Sequence, residues 1–325
     1  MNIKLHFDKN CVQGSSSDTI LDNFSKNQIV LPHSCLKGRC SECKIKVLVG
    51  EFEMPENQEG LTDEEVRSGY CLSCITKPLT DLKLENFEYF EGFLPEIKII
   101  PAKISSLEFL GLDVVKITLR TPPNKHLNFI PGQYIDLFLH NLKRSYSIAS
   151  VPSDSSIELI IKNYHNGIFS NYFFNEAKIN DLLRIEGPKG TYTLPTDNPE
   201  KLIFVSTGTG IAPHISMLKS AIQEGKLKKN QVIVVHGQRT VIEHVYDLEK
   251  ALPGVRIVRT TSRESAKGFI NGYVQDAVNN LTIDITETMI FACGNPQMIK
   301  DLKAQMISRG LDEKKFKSDM FVPSN

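Results

Sequence analysis

The sequence predicts a multidomain chain with three parts in order: a small cysteine-bearing domain, an antiparallel β-barrel, and an α/β domain on a parallel sheet. Three observations carry this. Five of the seven cysteines fall between residues 35 and 74. From residue 98, β-rich runs are spaced by turn residues, as in a small barrel. From residue 201, strand and helix patterns alternate, which argues for helices on the faces of a parallel sheet. At 325 residues, length alone suggests about two domains of roughly 150 residues each; the patterns say three.

Composition narrows the class. Lys plus Arg number 38, as do Asp plus Glu, so the formal net charge is zero. That argues against a chain that coats nucleic acid or an anionic membrane. No apolar run approaches 18 residues, so no transmembrane helix is expected. The start, MNIKLHFDKN, lacks the apolar stretch of a signal peptide. Seven cysteines are odd in number and too few for a disulfide scaffold. In a cytoplasmic protein, the expectation here, clustered cysteines bind metal or do redox chemistry.

The first part opens with alternation over Ile3 to Phe7, which reads as a strand. Ser17 and Asp18 offer a cap to a short helix in TILDNFSKN. KIKVLVGEF alternates like a strand, and residues 51–65, with seven acids and no Lys or Arg, read as a solvated loop. Between these lies Cys35-x4-Cys40-x2-Cys43, the plant-type [2Fe–2S] spacing, which needs a fourth cysteine later in the chain. One tight loop supplies three thiolates, and Gly38 suits the close wrapping. Cys74 and Cys71 compete for the fourth place, and Cys74, thirty residues after Cys43, is preferred. A zinc site is the rival, but x4 then x2 spacing without paired histidines argues against it. Cys11 and Cys71 read as bystander thiols, and His33 as a packed histidine rather than a ligand. Residues 86–97, NFEYFEGFLPEI, have no clear period and read as connecting chain. The parts are therefore placed at 1–90, 98–199 and 200–325, with a linker at 91–97.

In the barrel, strand QYIDLFLH is followed by Arg144-Ser145-Tyr146-Ser147. Alternation puts Arg144 and Tyr146 on one face and Ser145 and Ser147 on the other. An arginine can neutralise a pyrophosphate while a tyrosine stacks on a flat ring. Gly167-Ile168-Phe169-Ser170 then opens a helix candidate, SNYFFNEA, and a glycine before a helix start suits an anion. Pro131-Gly132-Gln133-Tyr134 upstream and Gly187-Pro188-Lys189-Gly190 downstream make the set specific.

In the last part, LIFVS runs into Thr207-Gly208-Thr209-Gly210-Ile211-Ala212-Pro213. This carries the G-x-G start of the dinucleotide fingerprint between a strand and a helix, so dinucleotide binding is expected. The acid that usually follows about 20 residues later is missing; the next strand ends His236-Gly237-Gln238-Arg239. VIEHVYDLEKAL reads as the following helix. Thr261-Ser262-Arg263 could hold a 2′-phosphate through a hydroxyl and a guanidinium. Cys293-Gly294-Asn295-Pro296 ends the fourth strand, at the carboxyl edge where ligands bind such sheets.

PGQY, RSYS, GIFS, GPKG, GTGIAP, HGQR and CGNP, in this order, resemble the ferredoxin–NADP reductase superfamily. With the cysteine loop in front, the chain resembles the three-part reductases of oxygenase systems. Within that group, IIPAKISS, VVKITLRTPPNKHLNFIPGQYIDL, RSYSIAS, IKNYHNG, LRIEGPKGTY and the terminal FKSDMFVPSN resemble the CDP-6-deoxy-L-threo-D-glycero-4-hexulose-3-dehydrase reductases of 3,6-dideoxyhexose biosynthesis.

The resemblance implies a β-grasp plant-type ferredoxin, an FAD-binding barrel and an NAD(P)-binding α/β domain. It implies that Cys35, Cys40, Cys43 and Cys74 ligate the cluster. Arg144, Tyr146 and Ser147 would hold FAD, helped by Gly167 and Ser170. Thr207, Gly208, Gly210 and Pro213 would receive the dinucleotide, and Cys293 would sit near nicotinamide C4. Ser262-Arg263 departs from that family and looks more like the NADPH-type enzymes, which leaves NADH and NADPH both open as donor. Phe321 would cover the flavin region. Electrons would pass from NADH or NADPH through FAD and the cluster, since a flavin accepts a pair and releases single electrons. The acceptor would be a pyridoxamine-phosphate-dependent dehydrase or, alternatively, an oxygenase. His165 and His214 sit within motifs but are not expected to act as general bases. Residues 1–90 hold 10 Lys and Arg against 14 Asp and Glu, a net −4, leaving +4 elsewhere. That asymmetry favours docking between the two at short range.

Overall fold

The computed structural model describes residues 1–164, 167–195, 201–227 and 232–321. They form two compact units: Met1–Pro95 with Gly190–Tyr192, and Glu96–Lys189 with Thr193–Asn325.

The first unit is a β-grasp. Its five-stranded sheet orders Asn10–Ser15, Asn2–Phe7, Leu82–Leu84, Lys44–Val49 and Tyr70–Leu72. Asn2–Phe7 and Leu82–Leu84 run parallel, and the other neighbours run antiparallel. Ile3, Leu5 and Phe7 point inward in strict alternation and meet Ile20, Leu21 and Phe24 of helix Ile20–Lys26. The cap of that helix is Thr19, one residue later than the sequence suggested. Its hydroxyl accepts from the Asp22 amide while the Asp22 carboxylate accepts from the Thr19 amide, so two otherwise unmatched donors are satisfied at once. The acidic run is not all loop: Thr62 caps a second helix, Asp63–Arg67, through the same exchange with Glu65.

Residues 87–91, read as connecting chain, are folded. Phe87 and Tyr89 pack their rings 5.5 and 5.4 Å from Phe7, and Phe90–Glu91 pairs with Ile29–Val30. Apolar burial, rather than a period, orders this segment. Gly190–Tyr192 also belongs here. The Thr191 amide donates to the His33 carbonyl at 3.0 Å, and the His33 amide donates to Thr191 Oγ1 at 2.8 Å.

The second unit begins with an antiparallel sheet in the order Leu142–Ser147, Tyr134–Leu139, Leu182–Lys189, Lys98–Phe109, Val114–Arg120 and Ser156–Lys162. A bridge between Ile148 and Leu159 joins the two edges. Closure removes the exposed edges, and alternate residues fill the interior, among them Ile104, Ile117, Leu137, Leu159 and Ile185. Strand Leu182–Lys189, central in this sheet, is hard to see in the sequence because Gly187-Pro188 interrupts its alternation. The helix candidate after Gly167 is one α-turn, Ile168–Asn171, followed by a π-turn, Tyr172–Glu176.

The remaining sheet is parallel throughout, in the order Ile270–Asn271, Arg256–Thr261, Val232–Gln238, Lys201–Thr207, Thr288–Gly294 and Phe316–Met320. Helices Ile211–Gln223, Val274–Asn279 and Pro296–Ser308 cover it. The chain winds outward from Lys201–Thr207 in one direction, then returns to start again at Thr288–Gly294. The crevice at the carboxyl ends of these two strands is the topological switch point, where such sheets bind ligands. The helix expected over VIEHVYDLEKAL is instead a 3₁₀ turn, Val241–Glu243, and a short helix, Leu248–Ala251, capped by Asp247. Four β-branched or aromatic residues in the first six disfavour a continuous helix there.

Candidate functional site

The loop before Lys44–Val49 and the turn after strand Tyr70–Leu72, which carries Cys74, bring the four predicted thiols together as two pairs. Cys43 Sγ lies 3.2 Å from Cys74 Sγ, and the Cys40 thiol hydrogen-bonds Cys35. Backbone amides of Lys37 and Arg39 also donate to Cys35 Sγ, each at 3.4 Å. The Cys40 bond and these amides pull the Cys35 thiol down to about 5. Left-handed backbone at Leu36, Gly38 and Ser41 curls the loop so that its amides face inward. Gly38 is required by its φ of +71° and because a Cβ would meet Ile75 Cδ1 at 2.4 Å. Cys71 is separate: it is fully buried on strand Tyr70–Leu72 opposite Ile45, and burial pushes its thiol up to about 12. Among the described residues, no three or more His, Cys, Asp or Glu side chains converge as a site for a single ion. Two pairs of thiols fit a binuclear cluster, in which each iron takes two cysteines. His33 is buried and its Nδ1–H donates to the Leu31 carbonyl at 2.9 Å; Cys11 is exposed in the strand beside His6.

On the barrel, Arg144 and Tyr146 share one face, and both meet Phe169. The guanidinium lies 5.8 Å from the Phe169 ring and the tyrosine ring 6.3 Å from it. Burial holds the Tyr146 phenol neutral. Ser147 is buried at the strand end, opposite Tyr134. Ser170 Oγ donates to the Gly167 and Tyr164 carbonyls, and a Cβ on Gly167 would lie 2.5 Å from that oxygen. The turn that follows Gly167 is thus locked. A cation, a flat ring and a tight turn on one side of a barrel fit a flavin nucleotide. On the opposite face, Ser145 donates to Asp136, and the Lys189 ammonium lies 2.7 Å from Asp136 Oδ2. Lys143 and Glu186 complete this network, which was not foreseen, because its members are far apart in sequence.

At the switch point the two loops touch. A Cβ on Gly210 would lie 2.5 Å from the Cys293 carbonyl oxygen, and one on Gly294 2.6 Å from Thr207 Oγ1. The Asn295 amide donates to that same hydroxyl at 3.2 Å. Gly208 differs: its φ is +57°, yet nothing lies within 4 Å of its Cβ position. Gly210 serves packing, and Gly208 leaves open room that suits a dinucleotide. Pro213 is buried in the first turn of helix Ile211–Gln223. Cys293 is fully buried, its thiol pushed up by burial and by Asp319. The Phe321 amide donates to the Gly294 carbonyl at 2.9 Å, which places the tail at this crevice. Ser262 and Arg263 reach over the next strand, their amides donating to the Gln238 and Arg239 carbonyls. Arg239, which sequence reasoning did not single out, is thereby exposed beside Arg263; its place at the end of the HGQR strand was the available signal. His214 is fully buried, edge-on to Phe204 at 5.0 Å, and burial pulls it down to about 3. His165 lies outside the described residues.

Comparison with known proteins agrees with this layout. Models of a 2Fe-2S iron-sulfur cluster binding domain, an oxidoreductase FAD-binding domain and an oxidoreductase NAD-binding domain match residues 8–79, 101–194 and 204–304. The CDP-6-deoxy-L-threo-D-glycero-4-hexulose-3-dehydrase reductase of Yersinia pestis is 36% identical over 330 residues, spanning 100% of this chain and 99% of that one. Protein RfbI of Salmonella typhimurium is 35% identical, spanning 96% and 94%. The crystal structure of the Amycolatopsis cytochrome P450 reductase GcoB shares the fold, with a TM-score of 0.80, 24% identity and coverage of 99% and 100%. The chain is an NAD(P)H-dependent oxidoreductase that uses FAD and a [2Fe–2S] cluster to transfer electrons. It belongs to the CDP-6-deoxy-L-threo-D-glycero-4-hexulose-3-dehydrase reductase family. Among the described residues, no helix is long and apolar enough to cross a membrane.

Proposed function

We propose that this reductase serves a pyridoxamine-phosphate-dependent dehydrase acting on a CDP-4-keto-6-deoxyhexose, in the cytoplasm. The observation that carries the reading is likeness over the full length, cluster part included, to reductases of that dehydrase. Bound FAD supplies the conversion between paired and single electrons. The chain's own residues supply position. Cys35 with Cys40, and Cys43 with Cys74, each hold one iron. Arg144 neutralises the flavin nucleotide's pyrophosphate, Tyr146 lies against its ring, and Ser147, Gly167 and Ser170 shape the edges. Thr207, Gly208, Gly210 and Pro213 receive the dinucleotide, with Ser262 and Arg263 at its adenosine phosphate. Cys293 and Phe321 border the nicotinamide end. By sequence the parts run 1–90, 98–199 and 200–325 with a linker at 91–97; in the fold, Glu91 pairs with Ile29 and Gly190–Tyr192 joins the first unit.

No general base is needed, which agrees with a His214 held neutral by burial. The decisive assay is coupled turnover with NADH or NADPH. Dehydrase with its CDP-hexulose should form reduced product, and an oxygenase component should not. Turnover with the oxygenase alone overturns the choice of acceptor.

A further inference from the structure

The carboxyl end of strand Val232–Gln238 holds a buried histidine that no part of the site yet explains. His236 is 2% exposed, and its Nε2 lies 3.0 Å from the Gly208 carbonyl oxygen. A carbonyl can only accept, so Nε2 carries the proton and donates. The His244 ring packs edge-on against the imidazole at 5.1 Å and 87°, which fixes its plane. His244 is itself held by its Nε2 at the Thr260 carbonyl, 3.0 Å away. The bond therefore rests on a rigid support.

Gly208 is the residue whose Cβ position faces open space. Its peptide with Thr209 is planar and trans, so the Thr209 N–H points opposite to the Gly208 carbonyl. A carbonyl pinned inward onto His236 sends that N–H outward, toward the side a pyrophosphate would occupy. Backbone N–H groups so aimed are what bind phosphates at the end of such a strand. We propose that His236 is a positioning residue for dinucleotide binding: its Nε2–H anchors the Gly208 carbonyl and so presents the Thr209 amide to the coenzyme's phosphates. The idea rests on the reading that the 207–210 loop receives NAD(P)H. It assigns that loop a buried support from a neighbouring strand. Burial keeps the imidazole uncharged, so the support is a directional hydrogen bond rather than a charge.

The test uses the holoprotein with FAD and cluster in place. NAD⁺ binding is measured by titration calorimetry, and NADH-dependent ferricyanide reduction gives KM and kcat. His236→Phe keeps a ring of similar size but removes the donor; His236→Gln restores a donor amide. The phenylalanine variant should bind NAD⁺ about three- to tenfold more weakly, the factor that an ordinary hydrogen bond carries. Its KM should rise in parallel with kcat at saturation unchanged, and the glutamine variant should return within about twofold of native. Should His236→Phe fail to accumulate, His236→Met removes the donor with a more adaptable chain. Native-like NAD⁺ affinity in the donor-less variant overturns the proposal. So does an equal loss in His236→Gln, which would mark a purely structural role. Gly208→Val separates the two levels. If it leaves NAD⁺ binding intact, the loop is not the coenzyme site; if it abolishes binding while His236→Phe does not, only the anchoring role fails.

Discussion

Lys189→Met should be the most damaging single substitution in the barrel. The Lys189 ammonium is 8% exposed, and it reaches Asp136, 5% exposed, at 2.7 Å and Glu186 at 2.5 Å. Methionine fills a similar volume but leaves both carboxylates without this cation. Removing one partner of a buried ion pair costs about 3–5 kcal/mol. Lys143 still touches Asp136 at 3.3 Å and Glu186 at 2.9 Å, but it is 37% exposed, so solvent weakens what it can replace. The expected loss is therefore about 2–4 kcal/mol, or roughly 5–15 °C in melting temperature. Thermal unfolding followed by flavin release would read it, because Ser145, on the strand of Arg144 and Tyr146, donates to the same Asp136.

The pH dependence has a definite sign. Burial raises the Asp136 carboxyl, but bonds from Lys189 and Ser145 outweigh it and the net direction is down. A lowered acid contributes stability above its unfolded value, near 3.9, that is lost as pH falls through the folded value. The gap between native and Lys189→Met should thus be widest near neutral pH and close below about pH 4. Adding Asp136→Asn to Lys189→Met should recover part of the loss. A shift below about 1 °C at pH 7, or a gap that widens in acid, would refute the account of this network.

Cys74→Ser should lose the cluster's visible absorbance while retaining FAD, whereas Cys71→Ser keeps both; absorbance and iron content decide, and the reverse pattern would reassign the fourth ligand. Arg263→Ala should raise KM for NADPH several-fold more than for NADH, and equal increases would remove a phosphate role. In the native protein iodoacetamide should label exposed Cys11 well before fully buried Cys293, as peptide mass mapping would show; comparable labelling would mean the crevice opens. Gly210→Ala forces a Cβ onto the Cys293 carbonyl and should weaken NAD⁺ binding more than tenfold with FAD content unchanged, so native affinity would show that the loops can separate freely.

The parts of this molecule that are contiguous in sequence were legible in advance. The cysteine spacing, the strand-to-glycine turn at 207–210 and the alternation in RSYS are local patterns, and local geometry realises them. Cys74 is preferred over Cys71 on its spacing alone; that Cys71 is committed to the core by strand Tyr70–Leu72 only the fold shows. What escaped depends on distance in the chain. Asp136 and Lys189 meet only because their strands are neighbours in the barrel. His236 meets Gly208 only because parallel register sets the two strand ends level. The segment at 241–252 escaped for another reason: its apolar residues imitate a helical period, while its β-branched side chains and Asp247 favour turns.

The His33–Thr191 pairing bears on how such reductases can be recombined. A gene fragment ending at Pro95 would encode nearly all of the cluster unit yet omit Gly190–Tyr192. In that fragment the amide and carbonyl of His33, a buried residue, lose the partners that Thr191 supplies. Each buried backbone group left unmatched costs about 1–3 kcal/mol. Exchange of cluster modules between relatives is therefore constrained at a second, distant point: an incoming module must match three residues encoded nearly a hundred codons downstream of the crossover.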